Sequence, residues 1–483
     1  MMNRFYCFSS WLSLGQFVVF SSEVHQGNRG KEADLPETRD GSAFSRQRLQ
    51  PCGIRLTSAA TSLLRGASLC LSLSMTLMVC LPSFAQKPSD GFLVKNGRVL
   101  FPIGCYELPK GNAELRALAG AGFNLVHCGN VADLDRARAA GMRGWISVPL
   151  QLGADDDALR RAVDAVTDHP ALAVWEGPDE VVWNFTAYSG LYRSGVYKSP
   201  DEWWQQTPFA VEHSENEAKK ILSRLRKGCQ LVRRLDRSKH PIWINEAAES
   251  DLKFIREYLD DIDITGCDIY PIHENRRLPE KAGDFTERYQ RVGRAKPVWM
   301  VMQGFSWHEL TPPKDEHLVY PSFAESRLMA YGAIAHGAKG ILYWGTEMVP
   351  NGSPFRQSLF TLTSELNALQ PFLTAKEQTT VRVSLTPSTG RLPEGSRDVR
   401  LFARRSGRDW LLVLVNEDNH PHMGVEMTGL AKLNGQTLEL LYGSETAAVK
   451  RGGFVTRLKP YEVKVFATSR RWESSRRNGR DFQ

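Results

Sequence analysis

An apolar run, Leu172 to Trp175, is closed by Glu176 and a Gly177-Pro178 turn, and two adjacent carboxylates, Asp179 and Glu180, follow at once. Such a pair is either a strand-end turn with a surface salt bridge or acid/base equipment. Like charges side by side raise a carboxyl pKa, and a carboxyl still protonated near neutrality is what a general acid requires. Other strand-like runs end in the same style. Glu107 follows the first, Asn130 the second, Asn245 and Glu246 the fifth, Asp268 and Tyr270 the sixth, Gln303 and Trp307 the seventh, and Glu347 the eighth. Carboxylates dominate this set, with almost no lysine, no arginine before Arg356 and no clustered histidine, so acid/base work on a neutral substrate fits better than phosphate handling. Aromatic residues thicken the same positions: Tyr106, Trp175, Trp183, Trp203, Trp204, Tyr270, Trp307 and Trp344. Flat rings beside carboxylates and amides suit a molecule with apolar C–H faces and many hydroxyls, which is a sugar. Trp175, Trp243 and Trp299 lie inside strand runs and are expected in the core, whereas Trp307 and the Trp203-Trp204 pair lie in loops and are the better platforms.

What must position these residues is an alternation of short apolar runs with stretches of helical period, repeated about eight times from residue 92 onward, the pattern of βα units around a parallel sheet. Runs such as "ALAVW" and "PVWMVM" are apolar on both faces, as strands packed inside a barrel and covered by helices should be. Eight units predict a (β/α)8 TIM barrel over 92–372, whose chemistry belongs at the C-terminal ends of the strands. A doubly wound sheet is the rival, and no Gly-rich phosphate loop follows an early strand to support it. After Phe372 the texture changes to alternating strands with polar turns, which predicts a small antiparallel β-sandwich over 376–468 that caps the barrel. The segment between Val181 and Val211 is long for a βα loop and rich in Tyr, Trp and Gly. It is expected to wall the cleft, so that deleting residues 186–206 abolishes binding and leaves the fold intact.

The order of elements, the carboxylate after the fourth strand, "GCDIYP" after the sixth, "KPVWMVMQGFSW" at the seventh, "AYGAIAHGAKGILYW" into the eighth and the C-terminal sandwich together resemble a clan A type glycoside hydrolase barrel, over about residues 92–468. The resemblance implies a general acid/base directly after an Asn at the end of the fourth strand and a nucleophilic Glu at the end of the seventh. Glu180 matches the first, with Asp179 in place of the Asn. Gln303 stands where the nucleophile is expected, and an amide cannot form a glycosyl ester. Three readings stay open: Asp268 or Glu347 is the nucleophile, one of them activates water in an inverting mechanism, or the barrel binds a glycan without cleaving it. Asp268 ranks before Glu347, because Gly266 and Cys267 leave its approach uncrowded and Tyr270 stands beside it. The expected catalytic residues are therefore Glu180, Asp268 and Glu347. Asp179, Glu107, Asn130, Tyr270, Gln303, Trp307, Trp344 and Glu246 are expected at the substrate. Glu325 and Arg327 read as a helix-start charge and its packing partner.

Composition narrows the partners. Of the formal charge of +7, the first 85 residues and the Arg-rich end from residue 470 each carry +3, leaving about +1 for the body and no electrostatic footprint for nucleic acid. Arg65, the apolar stretch Ala67 to Leu81 and Ser83-Phe84-Ala85 follow the grammar of a secretory signal cut after Ala85, behind an extension of about 60 residues. Its apolar core is shorter than the ~20 residues that span a bilayer, so a secreted or periplasmic protein without a stable membrane span is expected. Residues 469–483 read as a solvated basic tail. Cys105, Cys128, Cys229 and Cys267 show no metal or disulfide spacing and read as small hydrophobes. Neither a zinc signature nor a Gly-x-Ser-x-Gly elbow is present, so no metal or cofactor is implied.

Overall fold

The computed structural model describes residues 90–152, 156–293, 295–310, 317–386 and 396–475. The secretory-signal segment, the extension before it and the end of the basic tail lie outside the described residues. Eight strands, β1 (Ile103–Cys105), β2 (Leu125–Cys128), β3 (Arg143–Ser147), β4 (Leu172–Glu176), β5 (Ile242–Ala247), β6 (Ile264–Ile269), β7 (Val298–Gln303) and β8 (Gly340–Trp344), close into one parallel barrel in chain order, with β8 pairing β1. Helices follow the strands, from Asn112–Gly120 after β1 to Pro354–Ala368 after β8. The (β/α)8 architecture is thus the observed one.

Side-chain parity decides what faces the barrel axis, because successive residues of a strand point to opposite faces. Leu125, Trp145, Val174, Trp243, Ile264, Trp299, Val301 and Leu342 form one buried interior cluster. Their neighbours Val126, Ile146, Trp175, Ile244, Cys267, Met300 and Ile341 belong to the shell between strands and helices. Tryptophans fill the axis: Trp145 and Trp243 have ring centroids 6.0 Å apart, and Trp243 and Trp299 5.2 Å. Such volume in the interior leaves no residual pore, and Gly266 is required beside it, since a Cβ there would lie 1.8 Å from the Trp299 carbonyl oxygen. Gly266 is therefore a packing residue rather than a means of clearing the approach to Asp268. At the floor a hairpin, Leu93–Lys95 with Arg98–Leu100, stands in front of the barrel. Leu93 joins the interior cluster, and Gly91 beside it accepts the Trp299 indole N–H at 2.9 Å. With the floor plugged, the C-terminal ends of the strands form the open end.

Behind the barrel come β9 (Arg382–Leu385), β10 (Val399–Ser406), β11 (Asp409–Asn416), β12 (His422–Thr428), β13 (Thr437–Leu440), β14 (Thr446–Ala448), β15 (Phe454–Leu458) and β16 (Val463–Ala467). They form an antiparallel five-stranded sheet, β10-β11-β16-β13-β14, and a three-stranded one, β9-β12-β15. The apolar run in β11 is explained by two buried faces. Trp410, Leu412 and Leu414 pack into the sandwich, while Leu411, Val413 and Val415 join the barrel's outer shell. Polar ties reinforce this junction. Arg327, on the helix Phe323–Ala335, pairs with Glu365 at 2.7 Å and donates to the Val463 carbonyl at 2.5 Å. Its neighbour Glu325 closes a capping box with Ser322. Cys105, Cys128, Cys229 and Cys267 are free and buried.

Candidate active site

The inward parity carried to the strand ends sets the lining of the mouth. Tyr106, His127, Ser147, Glu176, Asn245, Asp268 and Trp344 are each in phase with an interior residue of their strand. Ser147 lies opposite Glu176 in the register and donates a short hydrogen bond to it, and the Trp145 indole donates to the same oxygen at 3.1 Å. His127 Nε2 lies 3.0 Å from the Ser147 hydroxyl. Burial raises the Glu176 carboxyl and lowers the His127 imidazole to about 4, so this corner holds a neutral histidine.

Glu180 stands beyond the Gly177-Pro178 turn in the left-handed region, at φ 50° and ψ 44°, an unusual conformation for a non-glycine residue and one that clusters at functional sites. Backbone bonds hold it there. Its N–H donates to the Asn245 carbonyl at 2.9 Å, and its own carbonyl accepts from Asn184 at 3.0 Å, opening the short helix Val181–Thr186. The side chain turns inward, 6% exposed, and hydrogen-bonds the carboxyl of Asp268, itself 5% exposed. Burial raises the Glu180 carboxyl well above its ordinary range, and the negative charges of Asp268, Asp179 and Glu246 add to the effect. Asp268 is pushed up to about 7 by burial and by Asp179, while its bonds to Glu180 and Tyr270 pull the other way. The pair thus shares a proton, Glu180 as donor and Asp268 as acceptor. Asp179 lies at the solvent edge of the mouth, takes a hydrogen bond from the Asn245 amide at 2.9 Å, and is held near 7 by its enclosed surroundings and by Glu176.

One side of the mouth is aromatic. Tyr270 stacks on Trp344 with centroids 5.6 Å apart, and Trp307 donates its indole N–H to the Tyr270 carbonyl at 3.2 Å while lying flat on His273. Five expected residues therefore gather with Glu180 at one place: Asp268, Asp179, Tyr270, Trp307 and Trp344.

Others go elsewhere. Glu347 is exposed to solvent, and it is Asp268 that meets Glu180. Glu246 has the outward parity of Ile244, and its carboxylate accepts from the Val182 N–H, Ser250 and Tyr258, so it anchors the start of the short helix instead of a ligand. Glu107 closes the barrel seam, accepting from the Gly345 and Thr346 N–H groups and the Thr346 hydroxyl. Asn130 caps the helix Val131–Ala139 through the Asp133 N–H at 3.1 Å. Gln303 is fully buried, accepting from the Ile272 N–H at 3.0 Å and donating to the Ile272 and Phe305 carbonyls at 2.9 and 3.1 Å. That amide is a brace between the ends of β6 and β7. A carboxylate there would face two carbonyl oxygens with no proton to offer, so Gln303→Glu is expected to destabilise the fold by about 1–3 kcal/mol in denaturant titration and to create no nucleophile.

The long segment after β4 also differs from expectation. Trp203 is core, packed against Phe254, and Trp204 alone of that pair is open, 46% exposed and 5.9 Å from Trp183. Tyr197 is buried and donates to the Thr186 carbonyl at 2.8 Å. Deleting residues 186–206 would therefore tear out core as well as a loop. Glu176, Ser147 and His127 were absent from the expected site, although counting two residues on from the interior positions Val174, Trp145 and Leu125 finds all three.

No family model matches the chain, and no curated protein matches its sequence. Among solved structures it is similar to a glycoside hydrolase family 5 protein from Bacteroides vulgatus ATCC 8482, at 13% identity and TM-score 0.46 over 78% of this chain and 93% of that one. It is also similar to a GH30 endoxylanase from Clostridium papyrosolvens C71, at 12% identity and TM-score 0.43 over 76% and 96%. A beta-galactosidase from the psychrophilic Marinomonas ef1 is similar at 14% identity and TM-score 0.39, over 56% of this chain and 60% of that one. At this distance the likeness bears no weight on chemistry, which rests on the carboxylates themselves.

Proposed function

We propose that this protein is an exported glycoside hydrolase in which Glu180 is the general acid/base and Asp268 its partner. The observation that carries the reading is the hydrogen-bonded Glu180–Asp268 pair at the mouth of the barrel, one carboxyl kept protonated and the other able to ionise near neutrality. A hydrogen bond between the two carboxyls leaves no room between them for the water of an inverting pair, held ~6.5–9.5 Å apart, and this favours the retaining course, whose pairs stand ~5–5.5 Å apart. In the retaining course Glu180 gives its proton to the glycosidic oxygen as that bond breaks, and Asp268 bonds to the anomeric carbon. Water, losing a proton to Glu180, then replaces Asp268 at that carbon. Tyr270 donates to Asp268 and steadies its ionised form. The ring faces of Tyr270, Trp307 and Trp344 offer the apolar side of a sugar its contact.

A second reading, a barrel that binds glycans without cleaving them, is motivated by the amide at the end of β7. Hydrolysis of a panel of natural glycans, followed with the anomer released, separates the two. Turnover is expected, with retention. Activity is expected to rise through about pH 7 as Asp268 ionises and to fall at higher pH as Glu180 loses its proton, the two limbs belonging to the coupled pair. Binding without turnover on every glycan would leave the second reading.

A further inference from the structure

The mouth gathers four carboxyls, Glu176, Asp179, Glu180 and Asp268, with no cationic side chain among their principal neighbours. The principal charged neighbours of Asp179, Glu180 and Asp268 are other carboxylates, and those of Tyr106 and Tyr270 are carboxylates and a phenol. One acceptor oxygen in this lining, Asn245 Oδ1, has no hydrogen-bond donor, although the residue is 3% exposed. The Asn245 amide lies directly against Asp179, so the missing donor and the open carboxylate are side by side. An unmet buried acceptor costs about 1–3 kcal/mol, so a site that keeps one beside a group of carboxyls is suited to a ligand that brings protons and positive charge. An alkylammonium brings three donors and one charge. It also gains from the negative ring faces of the Tyr270–Trp344 stack.

We propose that the mouth takes a cationic glycan, an oligosaccharide of 2-amino-2-deoxy sugars whose free ammonium is held by Asp179, in preference to N-acetylated, neutral or uronic chains. The inference rests on the reading of the mouth as a carbohydrate site and names its substrate class. Rejection of uronic chains follows from the same charge, since a like charge placed against Asp179 costs affinity and an unlike one adds it. An ammonium beside Asp179 favours the ionised carboxylate, so binding near pH 7 is accompanied by proton release.

The test is calorimetric titration of the full chain carrying Glu180→Gln, which blocks turnover, with tetramers of glucosamine, N-acetylglucosamine and glucose at pH 7. The glucosamine tetramer is expected to bind about 10-fold or more tighter than the others, an advantage that shrinks at 0.5 M salt. Adding Asp179→Asn to the same protein is expected to erase most of that preference. Equal or tighter binding of the acetylated or neutral tetramer, a preference that survives Asp179→Asn, or binding of none of the three overturns the proposal. Wild-type hydrolysis of neutral glycans without a preference for amines sinks this inference and spares the hydrolase reading. A clear preference for amines with no turnover of any glycan does the reverse.

Discussion

Replacing Glu180 by Gln is expected to lower kcat/KM by about 10³–10⁴-fold, the loss that follows removal of a positioned general acid together with its later role as base. Folding should be untouched, because Gln keeps the shape and Glu180 is already held in its neutral form. The residual activity should lose its decline at high pH, since the group that releases its proton there is gone. Asp268→Asn should cost at least as much, and here the rise through about pH 7 should vanish instead. Steady-state kinetics over pH for both variants, with melting curves as the control, test the assignment. If either variant retains wild-type activity, the pair is not the catalytic one.

The largest expected loss of stability lies far from the mouth. Glu365 is fully buried and accepts from the Arg327 guanidinium at 2.7 and 2.9 Å and from the Tyr331 hydroxyl at 2.8 Å. Removing it strands the Arg327 cation between barrel and sandwich, which is expected to cost about 3–5 kcal/mol. Glu365→Ala should therefore unfold at distinctly lower denaturant concentration. Combining Arg327→Met with Glu365→Leu should recover most of the loss, because apolar side chains of similar volume avoid the desolvation that a buried pair carries. A single variant as stable as the wild type would show that Arg327 finds water or another acceptor there.

Much of the fold was legible because apolar periodicity is a local property. The two-sided apolar runs of β4 and β7, and the apolar strands of the sandwich, follow from which residues must be buried, and burial is written along the chain. The expectation that Trp175, Trp243 and Trp299 are core held for the same reason. Side-chain partners were not legible in this way. Glu246 and Glu180 both stand at strand ends among polar neighbours, yet the former shares the outward parity of Ile244 and anchors a helix, and the latter is turned into the mouth by a left-handed backbone. Asn130, Glu107 and Gln303 were drawn to backbone groups whose need for partners becomes visible only when the ends of different strands are brought together.

The sequence by itself determined the alternation of strands and helices, the change to a sandwich after Phe372, and a mouth rich in carboxylates and aromatics, because these depend on residue type and spacing. Only the tertiary structure decided that Asp268 and not Glu347 meets Glu180, that Gln303 is a brace, and that Glu176, Ser147 and His127 belong to the lining. Barrel closure is the physical reason: it brings the ends of β4 and β6 within hydrogen-bonding reach across 88 residues of chain, and the shared burial there raises both carboxyls together.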